Sequence, residues 1–163
     1  MERFLIANVL TTPDGTNLVS HHRHDYVTHT DSISKKQYHI DGGTDYCKCS
    51  AWGDENINHI WSDTEFTKLR EFLFRGGRGK DGKQPLKYIP LKNMSNVWVE
   101  NTIKYIENSL IEVLNEQLRA GMIEQEEYAA SLATGLNPKA LWYIEKFKKE
   151  LVYRQLKKII ILD

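Results

Sequence analysis

Residues 4–20 read Phe4-Leu5-Ile6-Ala7-Asn8-Val9-Leu10-Thr11-Thr12-Pro13-Asp14-Gly15-Thr16-Asn17-Leu18-Val19-Ser20. Phe4 to Leu10 is apolar and partly β-branched, the composition of a strand. Thr12-Pro13-Asp14-Gly15 is a turn with a mechanism: proline fixes φ, the aspartate bonds nearby backbone, and glycine takes a positive φ. Asn17 to Ser20 then returns as the hairpin partner. The same grammar continues outward. Strands are expected at Tyr26–Asp31, Gln37–Asp41 and Tyr46–Ala51, separated by a Ser34-Lys35-Lys36 turn and a Gly42-Gly43 break. Five short strands at close spacing predict an antiparallel meander.

Downstream the period changes from strand to helix. Ser62-Asp63-Thr64-Glu65 has the capping-box form and is followed by Phe66, Leu69, Phe72 and Leu73 at helical spacing, which predicts a helix ending at Arg75-Gly76-Gly77. Residues 76–84 are glycine-rich and basic and read as a loop, and Leu86–Leu91 as a short extended piece. A long helix is expected over Asn96–Arg119, with Val99, Ile103, Ile106, Leu110, Val113 and Leu114 as its apolar stripe. Gly121 stops it, a shorter helix covers Met122–Ala133, and Asn137-Pro138 starts the last one, buried through Leu141, Ile144, Phe147 and Leu151. The run Ile159–Leu162 extends that helix, adds a strand or docks on a partner. The fold class is therefore α+β: a β-meander, a first helix and a basic loop over residues 1–95, then a helical region over 96–163.

The chain has 163 residues, is 40% hydrophobic and carries 22 basic against 22 acidic residues. That is enough apolar content for a core. The balance argues against a strongly nucleic-acid-seeking protein and against sequence-specific nucleic-acid binding. No signal peptide opens the chain, and no run approaches the roughly 20 apolar residues that span a bilayer. A reducing, cytoplasmic setting is expected, with Cys47 and Cys49 as free thiols. Charge is nevertheless segregated. Residues 75–92 are basic, the 96–134 helices acidic and the last helix basic again. Such helices neutralise each other across a packed or oligomeric interface.

Three clusters are candidates for function. His21, His22, Arg23, His24, Asp25, His29, Asp31, His39 and Asp41 gather five of the 6 histidines, the sixth being His59. If the hairpin closes with a three-residue loop, His29 faces Asp41 and Asp31 faces His39. His24, His29, Asp31, His39 and Asp41 then form a patch able to bind a divalent metal or exchange protons. The simpler account is cross-strand hydrogen bonding. Arg75-Gly76-Gly77-Arg78-Gly79-Lys80-Asp81-Gly82-Lys83 combines glycine backbone with Arg and Lys and suits a phosphate. It lacks the order of a P-loop. Trp52, in a Gly-Asp loop, is placed to stack on a base.

Further strings carry a resemblance. They are Ile6-Ala7-Asn8-Val9-Leu10, Thr12-Pro13-Asp14-Gly15-Thr16, Arg23-His24-Asp25-Tyr26, His29-x-Asp31, Asp41-Gly42-Gly43-x-Asp45-Tyr46 and Gly79-Lys80-Asp81-Gly82-Lys83-Gln84-Pro85-Leu86-Lys87-Tyr88. Together, over residues 5–100, they resemble a family of small accessory proteins encoded by tailed bacteriophages. The chain departs from that pattern at Cys47-Lys48-Cys49, where a more basic strand end is expected. The resemblance brings no catalytic residues. It implies action in the infected cytoplasm, including anti-defence roles in which a small oligomeric protein sequesters a cyclic-nucleotide or ADP-ribose-like signal. The leading expectation is a homo-oligomeric binding protein for an anionic nucleotide-like ligand, without a cofactor. Arg75, Arg78, Lys80 and Lys83 would hold phosphates, His22, Arg23 and His24 the sugar or phosphate, and Trp52 the base. The alternatives are a metal-dependent hydrolase using the His/Asp patch, and an inhibitor that binds a host protein through its charged helices.

Overall fold

The computed structural model describes residues 2–79, 81–134 and 137–160. The chain forms two compact units, one over Glu2–Leu91 and one from Lys92 onward. The fold is α+β, with short antiparallel strands first and helices after them.

In the first unit β1 (Leu5–Thr11) is central, paired with β2 (Asn17–Val19) on one side and β6 (Asn56–Trp61) on the other. The turn between β1 and β2 is the expected one: Gly15 N–H donates to Thr12 O at 2.9 Å and Gly15 has φ +85°. β3 (Val27–Thr30), β4 (Gln37–Asp41) and β5 (Lys48–Cys49) form a second three-stranded meander. The alternation of side chains along a strand puts Leu10, Leu18 and Ile57 of the first sheet against Tyr38, Ile40, Val27 and Cys49 of the second. The β6 strand is not apparent from residues 56–61, because Asn-Ile-Asn-His-Ile-Trp alternates only weakly and follows a Gly-Asp loop.

The helix expected after Ser62 shrinks to one turn, α1 (Phe66–Leu69). The capping box does not form. Ser62 Oγ instead accepts the Phe4 N–H at 3.1 Å, and the N-cap is Glu65. Beyond Leu73 the chain becomes a strand, β7 (Phe74–Gly77), paired with β8 (Lys87–Pro90). Gly76 and Gly77 thus belong to a ribbon, and the basic loop is its hairpin connection.

In the second unit α2 (Asn96–Arg119) packs on α4 (Pro138–Ile160), with α3 (Gln125–Thr134) between them in sequence. Ser95 Oγ caps α2 by accepting the Trp98 N–H, and Gly121 at φ +65° ends it. Asn137 Oδ1 caps α4 through the Lys139 and Ala140 N–H groups. Val99, Ile103, Leu114, Ile144 and Phe147 are buried as expected, while Val113 and Leu141 face outward. Each stands one residue, about 100° of helix, from a buried Leu114 or Trp142 that takes the inward position. Ile161 and Leu162 lie outside the described residues.

A buried carboxylate fastens this unit. Glu150 has no exposed surface and accepts from Arg154 Nε at 2.7 Å. Arg154 Nη1 donates onward to Met94 O at 2.7 Å and Asn96 Oδ1 at 2.8 Å, tying α4 to the start of α2. Arg154→Met removes this buried ion pair and is expected to cost about 3–5 kcal/mol in urea unfolding followed by circular dichroism. Glu150→Leu with Arg154→Met is expected to recover most of that loss.

Candidate functional site

The candidate site is built at one end of the β-sandwich, where the chain leaves β2 and β4. Asn8 sits mid-strand in β1 at 2% exposure. Its Nδ2 donates to Gly43 O at 2.8 Å, and its Oδ1 lies 2.6 Å from His59 Nδ1. Gly43 N–H donates to Ser20 Oγ at 2.9 Å, and that hydroxyl donates to His22 O at 3.2 Å. Gly43 has φ +57°, and a Cβ there would come within 2.8 Å of the His22 backbone. Only glycine lets the two segments touch. The touching segment, residues 21–25, is a tight turn: Asp25 Oδ2 accepts the His21 N–H at 2.7 Å, and His24 adopts φ +65°. His22, Arg23 and His24 are thereby held exposed.

His21 turns inward from the same turn. Its ring stacks on Tyr88 at 4.1 Å and 15°, and meets Phe74 edge-on at 4.5 Å. These contacts fasten the β7–β8 ribbon to the turn, and the His22 ring lies 6.3 Å from that of Tyr88. Gly76 stands opposite Tyr88, with a would-be Cβ 3.3 Å from its ring, so glycine leaves room for the tyrosine to lie across the ribbon. The connection is closed by Gln84 N–H to Arg78 O at 2.9 Å and exposes Arg78 and Lys83. Strand alternation sends Arg75 and Lys87 from the ribbon face opposite Phe74 and Tyr88. Lys80 lies outside the described residues.

Behind the turn, Tyr46 O–H donates to Asp41 Oδ2 at 2.8 Å and lies 3.5 Å from His24 Nδ1. The bond to Asp41, with burial second, raises the Tyr46 pKa above 10.0. Asp41 Oδ1 is buried and has no hydrogen-bond partner among the described residues. Asp41, Tyr46 and His24 thus run from the interior to the exposed turn beside Arg23.

The five-residue His/Asp patch does not assemble. The β3–β4 register pairs Thr28 with His39 and His29 with Tyr38, an odd shift from the pairing that would oppose His29 and Asp41. His29 therefore faces inward, while His39 faces outward. His39 bonds Ser50 Oγ at 2.9 Å and stacks on Tyr26 at 5.2 Å. The six-residue connection 31–36, with Lys35 at φ +60°, causes the shift.

Asp31 and His29 meet Asp14 instead, at the opposite end of the sandwich. One donor atom from each of the three lies within 4.8 Å of the others, a spacing that could hold a metal ion. Those oxygens already serve the fold. Asp31 accepts the Asp14, Ile33 and Ser34 N–H groups. Asp14 accepts from Ser32 N–H, Thr12 Oγ1 and Thr16 N–H, and lies 3.0 Å from His29 Nε2. The Ser32 backbone bond, then His29, then Thr16 and Thr12 hold the Asp14 carboxyl far below the usual range. Burial pushes Asp31 upward, but its backbone donors leave it below the ordinary value.

Trp52 stands elsewhere again. It is 58% exposed, donates Nε1–H to Gln37 O at 3.2 Å, and has Lys36 Nζ 5.7 Å from its ring centroid. Gln37 opens β4 and Asp41 closes it at the end nearer the histidine turn, about 13 Å away in a strand, so Trp52 does not join that turn. Cys47 and Cys49 are free thiols. Burial first, and Cys49 second, push Cys47 up to about 11, which makes it a poor nucleophile. Sequence reasoning missed His21, Tyr88 and Asn8 as the parts that assemble the site. A histidine directly before His22 and a tyrosine after Lys87 were visible, but nothing local pairs them.

Comparison with protein-family models, with curated proteins and with solved structures gave no match.

Burial, opposed by Asp25, lowers the His21 pKa below 6.5. The unfolded chain then takes up a proton that the folded ring refuses. The ribbon's docking is at full strength above pH 6.5 and is lost as pH falls through the lower folded value. Protection factors of ribbon amides, taken from hydrogen exchange after division by the intrinsic rate at each pH, should fall below pH 6.5 in the native chain. In His21→Phe this part of the pH dependence should disappear.

Proposed function

We propose that this protein is a binding protein that captures an anionic, nucleotide-like small molecule and releases it unchanged. The observation that carries the reading is the packing of His21 between Tyr88, on which it stacks, and Phe74, which it meets edge-on. It fixes a hairpin bearing Arg78 and Lys83 beside an exposed His22-Arg23-His24 turn. In this reading two segments distant in sequence supply the cationic and hydrogen-bonding groups that a phosphate and a sugar require. The five His/Asp candidates fall in three places, His29 and Asp31 with Asp14, His39 with Ser50, and His24 with Asp41 through Tyr46, and this division favours capture over metal-dependent hydrolysis. In the setting that the phage resemblance implies, the ligand is a signalling nucleotide and the protein an anti-defence factor acting as a homo-oligomer in the host cytoplasm.

Titration calorimetry of the full chain against cyclic dinucleotides, ADP-ribose and nucleoside di- and triphosphates tests this. Binding of one member is expected, with the ligand recovered intact by mass spectrometry after heat denaturation. Arg78→Ala with Lys83→Ala should weaken it by about tenfold or more without changing the melting temperature of the free protein, about 1.4 kcal/mol of binding energy. His29→Ala should leave affinity unchanged. Hydrolysed ligand, or affinity indifferent to Arg78 and Lys83, would overturn the reading.

A further inference from the structure

The β2–β1–β6 sheet uses one face for the sandwich core, through Leu10, Leu18 and Ile57. Its other face presents Val9, Thr11, Asn17, Asn58 and Ile60, the alternate residues of the same strands. With α1 only one turn long, the segment Lys68–Phe72 crosses this face and leaves a cleft of about 330 Å³. Val9 and Ile60, each 2% exposed, seal the floor, and Phe72 supplies an aromatic side.

Of the polar lining, Glu71 has interactions of its own, while several other groups stay open. Thr11 Oγ1 donates to Asn17 Oδ1 at 2.7 Å, which orients that carboxamide and leaves its NH₂ group open. The Asn58 carboxamide and the Lys68 ammonium have no protein hydrogen-bond or ion-pair partner among the described residues. A half-buried carboxamide offers one donor and one acceptor side by side, the complement of the N6/N7 edge of adenine. A ring stacked along Phe72 over the apolar floor, with an anionic group reaching Lys68, would meet both the Asn58 carboxamide and the Lys68 ammonium. The volume is at the small end of ligand pockets and admits one nucleoside, not two.

We propose that this cleft is a binding site for a purine mononucleotide, with Asn58 reading the base edge and Lys68 holding the phosphate. It is a different surface from the histidine turn and basic hairpin, and does not depend on the reading given for them. The test is ¹⁵N–¹H NMR titration of the full chain with adenosine 5′-monophosphate, with adenosine and ribose 5-phosphate as separate arms. Shifts are expected at residues 9–11, 56–60 and 68–73. Asn58→Leu should weaken the nucleotide and adenosine alike, by about tenfold or more. Lys68→Ala should weaken the nucleotide but not adenosine. Arg78→Ala should change neither, which separates this site from the hairpin. Both variants replace side chains without protein partners, so an unchanged melting temperature is expected for each. No shift at millimolar nucleotide, shifts confined to residues 21–25 and 74–90, or equal binding in Asn58→Leu would each overturn the assignment. Binding of ribose 5-phosphate as tightly as the nucleotide would do so too.

Discussion

A carboxamide in the middle of a buried strand must find partners, since leaving it unsatisfied costs on the order of 1–3 kcal/mol. In β1 that residue is Asn8, and its partner is the carbonyl of Gly43. This bond joins the central strand of one sheet to the loop that ends the middle strand of the other. Gly43 in turn gives its N–H to Ser20, and its missing side chain admits the His22 backbone. The turn at 21–25 takes its shape from that contact, and the inward His21 ring takes its position from the turn. The β7–β8 ribbon then rests on His21. A chain of dependence thus runs from one interior amide to the exposed basic hairpin.

The other end of the sandwich is closed by a different device. Asp14 and Asp31 occupy two turns, and each accepts backbone N–H groups from the other's turn. Such bonds favour the ionised carboxylate, so this closure is complete at neutral pH and fails only in acid. The same residue types that suggest metal chemistry in a sequence here replace main-chain partners that two facing turns cannot supply. The histidine end keeps its polar groups outward, and one oxygen of Asp41 has no partner among the described residues. Structural economy is tight at one end and loose at the other, and the loose end carries the candidate site.

In the helical unit the segregation of charge is resolved partly by direct pairing. Lys148 of α4 meets Glu107 of α2 at 3.1 Å, an exposed contact worth little on its own. The Glu150–Arg154 pair is the stronger constraint, because its carboxylate is out of water and its guanidinium also serves two acceptors at the start of α2. Among the described residues no helix is long and apolar enough to cross a membrane.

Local rules carried much of the fold. The Thr12–Gly15 turn, the strand Gln37–Asp41, the helix Asn96–Arg119 and the start of the last helix at Pro138 all follow from turn chemistry, side-chain period and capping, which act within a few residues. What tertiary contacts decided lay beyond that range. Ser62 had the signature of a helix cap, but the Phe4 N–H claimed its hydroxyl from 58 residues away. Residues 56–61 became a strand because β1 had an open edge to pair with. The β3–β4 register followed from a six-residue connection organised by Asp31, and a one-residue change of parity exchanges every side chain between faces. The candidate histidines and basic residues were legible as residue types. Which of them share a surface was not, because that depends on Asn8, Gly43 and His21, whose partners are distant in sequence and adjacent only once the sheets have closed.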